Sequence, residues 1–128
     1  MKIWITSDSH FNHENIIKYC KRPFHSLEQM NETLIEKWNK NVAKEDLVIH
    51  LGDFAFGSAE KMEEIRRKLN GIIIVLAGNH ESFKKMESLG FIVVRGDLQI
   101  KNFILTHKPL SLEKIPKGFI NTKKFIFA

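Results

Sequence analysis

The sequence contains little cysteine and proline, and it has no long apolar run. Cys20 is its one cysteine among 128 residues, which excludes an intrachain disulfide framework and a cluster of zinc-bound thiolates. We expect Cys20 to be a small, buried apolar side chain. No stretch approaches the roughly 18 apolar residues of a membrane span, and Asp8 interrupts the first apolar run too early for a signal peptide. These absences favour a cytoplasmic protein that does not enter a membrane.

A concentrated basic tract is also missing. The sequence has 20 Lys and Arg against 15 Asp and Glu, a net charge of +5, which favours an anionic partner. The lysines are scattered, however, and the pairs Lys84-Lys85 and Lys123-Lys124 are too short for a nucleic-acid tract. We therefore expect a phosphate-ester small molecule or a nucleotide as partner rather than nucleic acid, and we leave a homo-oligomer open.

The chain has enough residues for its own hydrophobic core. Its 128 residues are 43% apolar, and a domain of this size buries roughly two thirds of the surface that its unfolded chain exposes. We expect one domain over residues 1–128.

Apolar runs of strand length alternate with helical periodicities along the chain. The predicted strands cover residues 2–6, 47–51, 72–77, 91–94, 98–100 and 103–106, and the predicted helices cover residues 27–42, 59–69 and 83–89. Ser26 and Ser58 precede the first two helices as candidate N-caps. Because strands that are apolar on both faces need cover on both sides, the pattern predicts an α/β fold with a layered sheet flanked by helices.

Several predicted strands end in residues of the types that bind metal ions. The strand-end groups are Asp8 and His10, Gly52-Asp53, Gly78-Asn79-His80-Glu81, and His107. Open α/β sheets bind ligands at the edge where the carboxyl ends of their strands lie. In an extended loop, Asp8 and His10 are two residues apart and point the same way. Asp53 could bridge two cations about 3.5–4 Å apart. Oxygen and imidazole donors without thiolate suit Mn²⁺, Fe or Zn²⁺.

The order of these motifs resembles that of the calcineurin-like metallophosphoesterases. The matching segments are Asp8-Ser9-His10, Gly52-Asp53, Gly78-Asn79-His80-Glu81 and His107. The segment from His10 to Ile17 with Arg22-Pro23-Phe24 is similar to the small prokaryotic and phage-type branch. The resemblance implies a four-layer αββα core and hydrolysis of a phosphomonoester or phosphodiester by a metal-bound hydroxide.

The resemblance also implies a dinuclear metal site. Asp8, His10 and Asp53 would bind one divalent ion, and Asp53, Asn79 and His107 the other. Mn²⁺ is the expected metal, with Fe, Zn or Ni as alternatives.

Three further residues are candidates for contacts with substrate. His80 would be the catalytic residue that contacts the phosphate or protonates the leaving oxygen. Arg22 could bind the phosphate with its planar fork, although a structural or surface role fits it as well. His13 could line the cleft, or it could be a surface residue at the start of a helix.

The sequence departs from the family pattern near its C-terminus. Family members continue to a G-H-x-H segment with two more ligands, whereas no histidine follows His107 here. We expect a truncated C-terminal part, as a shifted reading frame or an early stop would leave, and an impaired metal site. The alternative function is that of a catalytically degenerate protein of this fold, which serves as a binding or scaffold module.

Two other features of the sequence allow more than one interpretation. His50 lies within an apolar strand, and we interpret it as a core histidine or as one that supports a metal ligand. Phe125 and Phe127 alternate as on the face of a strand, and their exposure would favour association with another chain.

Overall fold

The parallel sheet that positions the candidate site forms from the short, β-branched runs of the sequence. The computed structural model describes residues 1–76, 83–95, 98–100, 103–106 and 124–127, with the backbone alone for residue 83 and residues 124–127. Strands β1 (Ile3–Thr6), β2 (Leu47–His50), β3 (Ile72–Leu76) and β4 (Ile92–Val94) pair in this order, and every pairing is parallel. The carboxyl ends of β1, β2 and β3 therefore lie at one edge of the sheet.

A second, smaller sheet follows along the chain. Strand β5 (Leu98–Ile100) pairs antiparallel with β6 (Phe103–Thr106), and β6 pairs in parallel with β7 (Lys124–Phe127). The strand-like alternation of Phe125 and Phe127 thus belongs to a paired strand.

Helices cover one face of the four-stranded sheet. Their bounds are α1 (Ile16–Tyr19), α2 (Leu27–Asn41), α3 (Ala59–Lys68) and α4 (Phe83–Ser88). The predicted N-caps are confirmed, because Ser26 Oγ accepts from the backbone N–H of Gln29 and Ser58 Oγ accepts from that of Lys61. In the described part of the chain, no helix has both the length and the apolar character needed to cross a membrane.

Two hydrophobic clusters lie on opposite faces of the parallel sheet. Ile73 and Val75 of β3 pack with Met62 and Ile65 of α3 and with Met86 of α4. On the other face, side chains of the two sheets pack together, namely Ile49, Leu51, Leu76 and Leu105. Successive residues of a strand point to opposite faces, which is why these strands are apolar throughout.

The α/β fold class predicted from the sequence is confirmed in its main layers. Helices, a parallel sheet and a second sheet lie in that order, and the outer helical layer of the expected αββα order is not among the described residues. The expectation that Cys20 is buried is wrong. Cys20 follows the single turn of α1 at its C-cap position, and its side chain is exposed.

Asp46 fastens the start of β1 to the loop before β2. One carboxylate oxygen accepts from the backbone N–H of Lys2 at 2.8 Å, and the other accepts from the N–H of Ala43 at 2.9 Å and from Trp4 Nε1 at 3.0 Å. These donors, led by the two backbone N–H groups, lower the pKa of Asp46 to about 2. The ionised carboxylate therefore holds the edge strand in register with β2.

We expect Asp46→Asn to lower the melting temperature at neutral pH, because an amide NH₂ cannot accept from the donors that the carboxylate satisfies. The pKa of Asp46 is lower in the folded protein than its ordinary 3.8. Its stabilisation is therefore complete above about pH 5 and disappears as the pH falls through 3.8 toward 2. Thermal unfolding of wild type and Asp46→Asn should show a difference in melting temperature that shrinks between about pH 5 and pH 2. The exposed neighbour Glu45→Gln is the control, and equal melting temperatures for Asp46→Asn and wild type at pH 7 would contradict the prediction.

Candidate metal centre

The loops that follow β1 and β2 remain paired beyond the ends of the strands. The N–H of Leu51 donates to the carbonyl of Thr6 at 2.8 Å. The N–H groups of Asp8 and His10 then donate to the carbonyls of Gly52 and Asp53, each at 3.0 Å. These hydrogen bonds hold the two loops side by side, so that Asp8, His10 and Asp53 lie at one place on the sheet edge.

The backbone at this place adopts left-handed conformations. Asp8 and His10 both have a φ of 52°, and Asp53 has a φ of 55°. Asp8 and His10 do direct their side chains to one place, as expected. The loop that carries them is not extended, however, because both residues are left-handed. Such conformations are uncommon outside glycine and cost of order 1 kcal/mol or more each, and they persist where the surroundings fix them. Gly52, with a φ of 117°, makes the turn that a side chain would strain.

Three side chains converge into a group with the spacing of metal ligands. The candidate ligand atoms of Asp8, His10 and Asp53 all lie within 4.8 Å of one another. His10 Nε2 is 3.6 Å from Asp8 Oδ1 and 3.8 Å from Asp53 Oδ2. Two ligands about 2.1 Å from one ion are roughly 3.0 to 3.6 Å apart for angles of about 90° to 120°. The His10–Asp8 distance lies at the upper end of this range and the His10–Asp53 distance about 0.2 Å beyond it, so the two carboxylates and the imidazole lie close to the spacing that a divalent cation needs.

The protonation state of His10 suits coordination. Burial lowers the pKa of His10 below its ordinary value, an effect that Asp53 opposes and His13 reinforces. The imidazole is therefore neutral at pH 7, and a neutral ring nitrogen is the form that binds a metal.

The opposite edge of the His10 ring contacts His13. The two Nδ1 atoms are 3.0 Å apart, and the ring of Phe56 lies against both histidines, 4.2 Å from His13 and 5.7 Å from His10 between centroids. His13 precedes α1 rather than beginning it, and its backbone N–H donates to the carbonyl of His10. These contacts fix the orientation of the His10 ring.

Arg22 donates two hydrogen bonds to the loop after β1. Its Nη1 donates to the carbonyl of Ser9 and its Nη2 to the carbonyl of Asp8, both at 2.8 Å. This fork holds the backbone between the two candidate ligands of that loop. Contact of Arg22 with a phosphate stays a prediction.

A cavity of about 350 Å³ adjoins Asp8 and Arg22. Its other walls include Phe24, Leu34 and Trp38. The cavity thus offers a largely apolar space beside Asp8.

The remaining predicted site residues are Asn79, His80 and His107, which lie outside the described residues. Strand β3 ends at Leu76 and β6 ends at Thr106, so the strands predicted to precede them are confirmed. The roles of the three residues stay predictions.

Phe56 was not identified as a site residue from the sequence. It lies two residues beyond Phe54, which is fully buried, and it is only partly buried itself. The spacing of Phe54 and Phe56 gave no signal for this role. Residues two apart in an extended segment share a face, whereas Phe54 packs in the core and Phe56 packs against the two histidines.

Comparison with known proteins gives a family match over most of the chain. The model of the family described as calcineurin-like phosphoesterase matches residues 1–125. An uncharacterized protein of Methanocaldococcus jannaschii is 43% identical over 114 residues, which cover 84% of this chain and 59% of that protein. The chain thus spans about three fifths of the length of this curated relative.

Two crystal structures share the fold. A protein of unknown function from Aquifex aeolicus matches with a TM-score of 0.67 at 25% identity, covering 95% of this chain and 68% of that one. The nuclease MPE of Pseudomonas putida matches with a TM-score of 0.64 at 21% identity, covering 98% of this chain and 59% of that one.

We expect Asp53→Asn to weaken Mn²⁺ binding by at least about tenfold. Even the loss of a group that only orients a metal ligand lowers metal affinity by about 10- to 100-fold. Isothermal titration calorimetry with Mn²⁺ measures the change. Glu60→Gln, on the first turn of α3, removes the same charge outside the group. Equal affinities for Asp53→Asn and Glu60→Gln would contradict the site.

Replacement of Arg22 by Lys should destabilise the loop after β1. A single ammonium cannot donate to both carbonyls in the geometry of the guanidinium fork, so we expect a loss of about 1 to 3 kcal/mol in the free energy of unfolding. Urea unfolding of Arg22→Lys is compared with that of Arg67→Lys, an exposed position on α3. Equal unfolding midpoints for the two variants would show that the fork does not stabilise the loop.

Proposed function

This chain belongs to the calcineurin-like phosphoesterase family, and on that premise we propose that it hydrolyses a phosphomonoester or a phosphodiester with the help of divalent metal ions. The observation that supports the proposal best is the group formed by Asp8, His10 and Asp53. Two carboxylates and a neutral imidazole, brought together from two strand ends, are a donor set for a hydrolytic metal ion.

These three residues would hold the ion at the sheet edge. A divalent cation supplies an activated water and offsets charge on the phosphoryl oxygens when it is bound. The protein's contribution is to hold the three side chains in place before the ion arrives. The paired loops fix Asp8 and Asp53, and burial keeps the His10 ring neutral.

His13 and Arg22 support the site from two sides. With Nε2 of His10 directed at the carboxylates, its Nδ1–H is free to donate to His13 Nδ1. This hydrogen bond would hold the ring in the tautomer that a metal ligand needs. Arg22 contributes positive charge beside the cavity, and we propose that it and His13 contact the substrate phosphate.

The proposal includes a dinuclear centre. Asp53 would be shared between two ions, with Asn79 and His107 as further ligands of the second, and Mn²⁺ is the metal that we propose. His80 would donate a proton to the leaving oxygen, which relieves the negative charge that develops as the bond to phosphorus breaks.

The cavity beside Asp8 supports a small ester as the substrate. Its volume of about 350 Å³ is at the lower end of the range for small-molecule sites, and its apolar walls suit the organic part of an ester. A small phosphate ester or a nucleotide fits these features. The likeness to the Pseudomonas putida nuclease shows the fold alone, so the assay includes both a monoester and a diester.

We expect the protein to hydrolyse p-nitrophenyl phosphate or bis(p-nitrophenyl) phosphate when Mn²⁺ is added, and EDTA to abolish the reaction. Asp53→Asn should lower kcat by about 100-fold or more, because it removes a charged ligand of the ion that would stabilise the developing charge on the phosphoryl oxygens. Release of p-nitrophenol measures the rate, and Glu60→Gln should keep the wild-type rate.

The alternative of a degenerate binding module predicts the opposite outcome. A protein that binds Mn²⁺ without hydrolysing either ester would support the alternative. A rate that is insensitive both to EDTA and to Asp53→Asn would contradict metal-dependent hydrolysis.

A further inference from the structure

A fully buried histidine lies beneath the candidate metal centre. His50 ends β2 and has no exposed surface. Both of its ring nitrogens have hydrogen-bond partners. The backbone N–H of Gly52 donates to Nδ1 at 3.2 Å, and Nε2 lies 3.0 Å from Ser9 Oγ. A buried imidazole needs both contacts, because an unsatisfied ring nitrogen in the interior costs about 1–3 kcal/mol.

These contacts define the tautomer of His50. A backbone N–H can only donate, so Nδ1 accepts and the proton is on Nε2. Nε2–H then donates to Ser9 Oγ, and the Ser9 hydroxyl donates to the carbonyl of Phe54 at 2.8 Å. The hydrogen bonds run in one direction from Gly52 through His50 and Ser9 to Phe54.

This chain of hydrogen bonds joins the two loops that carry the candidate ligands. Ser9 lies between Asp8 and His10, and Gly52 and Phe54 flank Asp53. All three candidate ligands have left-handed backbone conformations, which need surrounding contacts to persist. The hydrogen bonds through His50 and Ser9 hold the backbone at residues adjacent to all three candidate ligands.

We propose that His50 and Ser9 are positioning residues that hold Asp8, His10 and Asp53 at ligand spacing before a metal ion binds. This inference rests on the proposed metal-dependent function. It adds that the neutral, Nε2-protonated form of His50 is the one that sets the geometry, and that the Ser9 hydroxyl transmits the constraint to the loop after β2.

Substitutions at His50 separate its two hydrogen bonds. The amide of His50→Gln reaches the position of Nε2 and can still donate to Ser9, whereas the amide of His50→Asn reaches only the position of Nδ1 and can accept from Gly52. Ser9→Ala removes the hydroxyl between the loops. Ser7→Ala removes a hydroxyl from the same loop outside this chain of hydrogen bonds and is the matched control.

The first test uses the metal-free protein. Long-range ¹H–¹⁵N correlation spectra of ¹⁵N-histidine-labelled wild type should show the neutral His50 ring with its proton on Nε2. A ring protonated on Nδ1 or on both nitrogens would overturn the proposal. Backbone amide exchange of Asp8 and His10 should be faster in Ser9→Ala than in Ser7→Ala, because their N–H groups donate to the loop after β2. Equal exchange in the two variants would also overturn it.

The second test measures Mn²⁺ affinity by titration calorimetry. We expect Ser9→Ala and His50→Asn to bind Mn²⁺ about 10- to 100-fold more weakly than wild type, with His50→Gln closer to wild type and Ser7→Ala unchanged. Wild-type affinity in Ser9→Ala would overturn the proposal. Should a His50 variant fail to fold, the wild-type spectra and the Ser9→Ala measurements still decide it. A wild type that hydrolyses no ester but gives the expected spectra and exchange would refute the proposed function and leave the positioning role intact.

Discussion

The site depends on the parallel pairing of β1 with β2, which continues into the loops that follow them. In a parallel pair both strands end at the same edge, and here the hydrogen bonds from Leu51 to Thr6 and from Asp8 to Gly52 carry the pairing past that edge. Asp8 and Asp53 are 45 positions apart in the sequence, yet their backbones take part in two successive hydrogen bonds between the same two loops, from Asp8 to Gly52 and from His10 to Asp53. Without this pairing, the carboxylates would be on independent loops.

The sequence predicted the fold well because its strands and helices have local signals. An apolar run predicted β2 and an unbroken, mostly β-branched run predicted β3, each to within one residue. Ser26 and Ser58 predicted the helix starts, because a hydroxyl cap bonds to the first turn of the helix that follows it. The approach of Asp8, His10 and Asp53 also followed, because parallel strand ends must lie at one edge.

What the sequence could not provide was the local backbone. Left-handed conformations at Asp8 and His10 are held by hydrogen bonds to a loop far along the chain. Asp and His adopt such conformations more often than most residues, but this preference does not predict at which positions they occur. The hydrogen-bond partners of the Arg22 guanidinium could not be predicted either, because they also depend on the folded backbone. Its guanidinium could bind a phosphate or a carbonyl with equal geometry, and only the folded chain places two carbonyls 2.8 Å away.

The charges at the candidate site favour a bound cation. The side chains of Asp8 and Asp53 are 42% and 13% exposed, so water screens the carboxylate of Asp53 much less than that of Asp8. A protonated His10 between them would offset their repulsion, but burial lowers its pKa and keeps it neutral. The Arg22 guanidinium donates to the backbone carbonyls of Asp8 and Ser9 rather than to the carboxylates. A divalent ion near His10 Nε2 would reduce the repulsion and accept the imidazole lone pair, which a protonated histidine could not donate. Burial of His10 therefore favours metal binding over an internal ion pair.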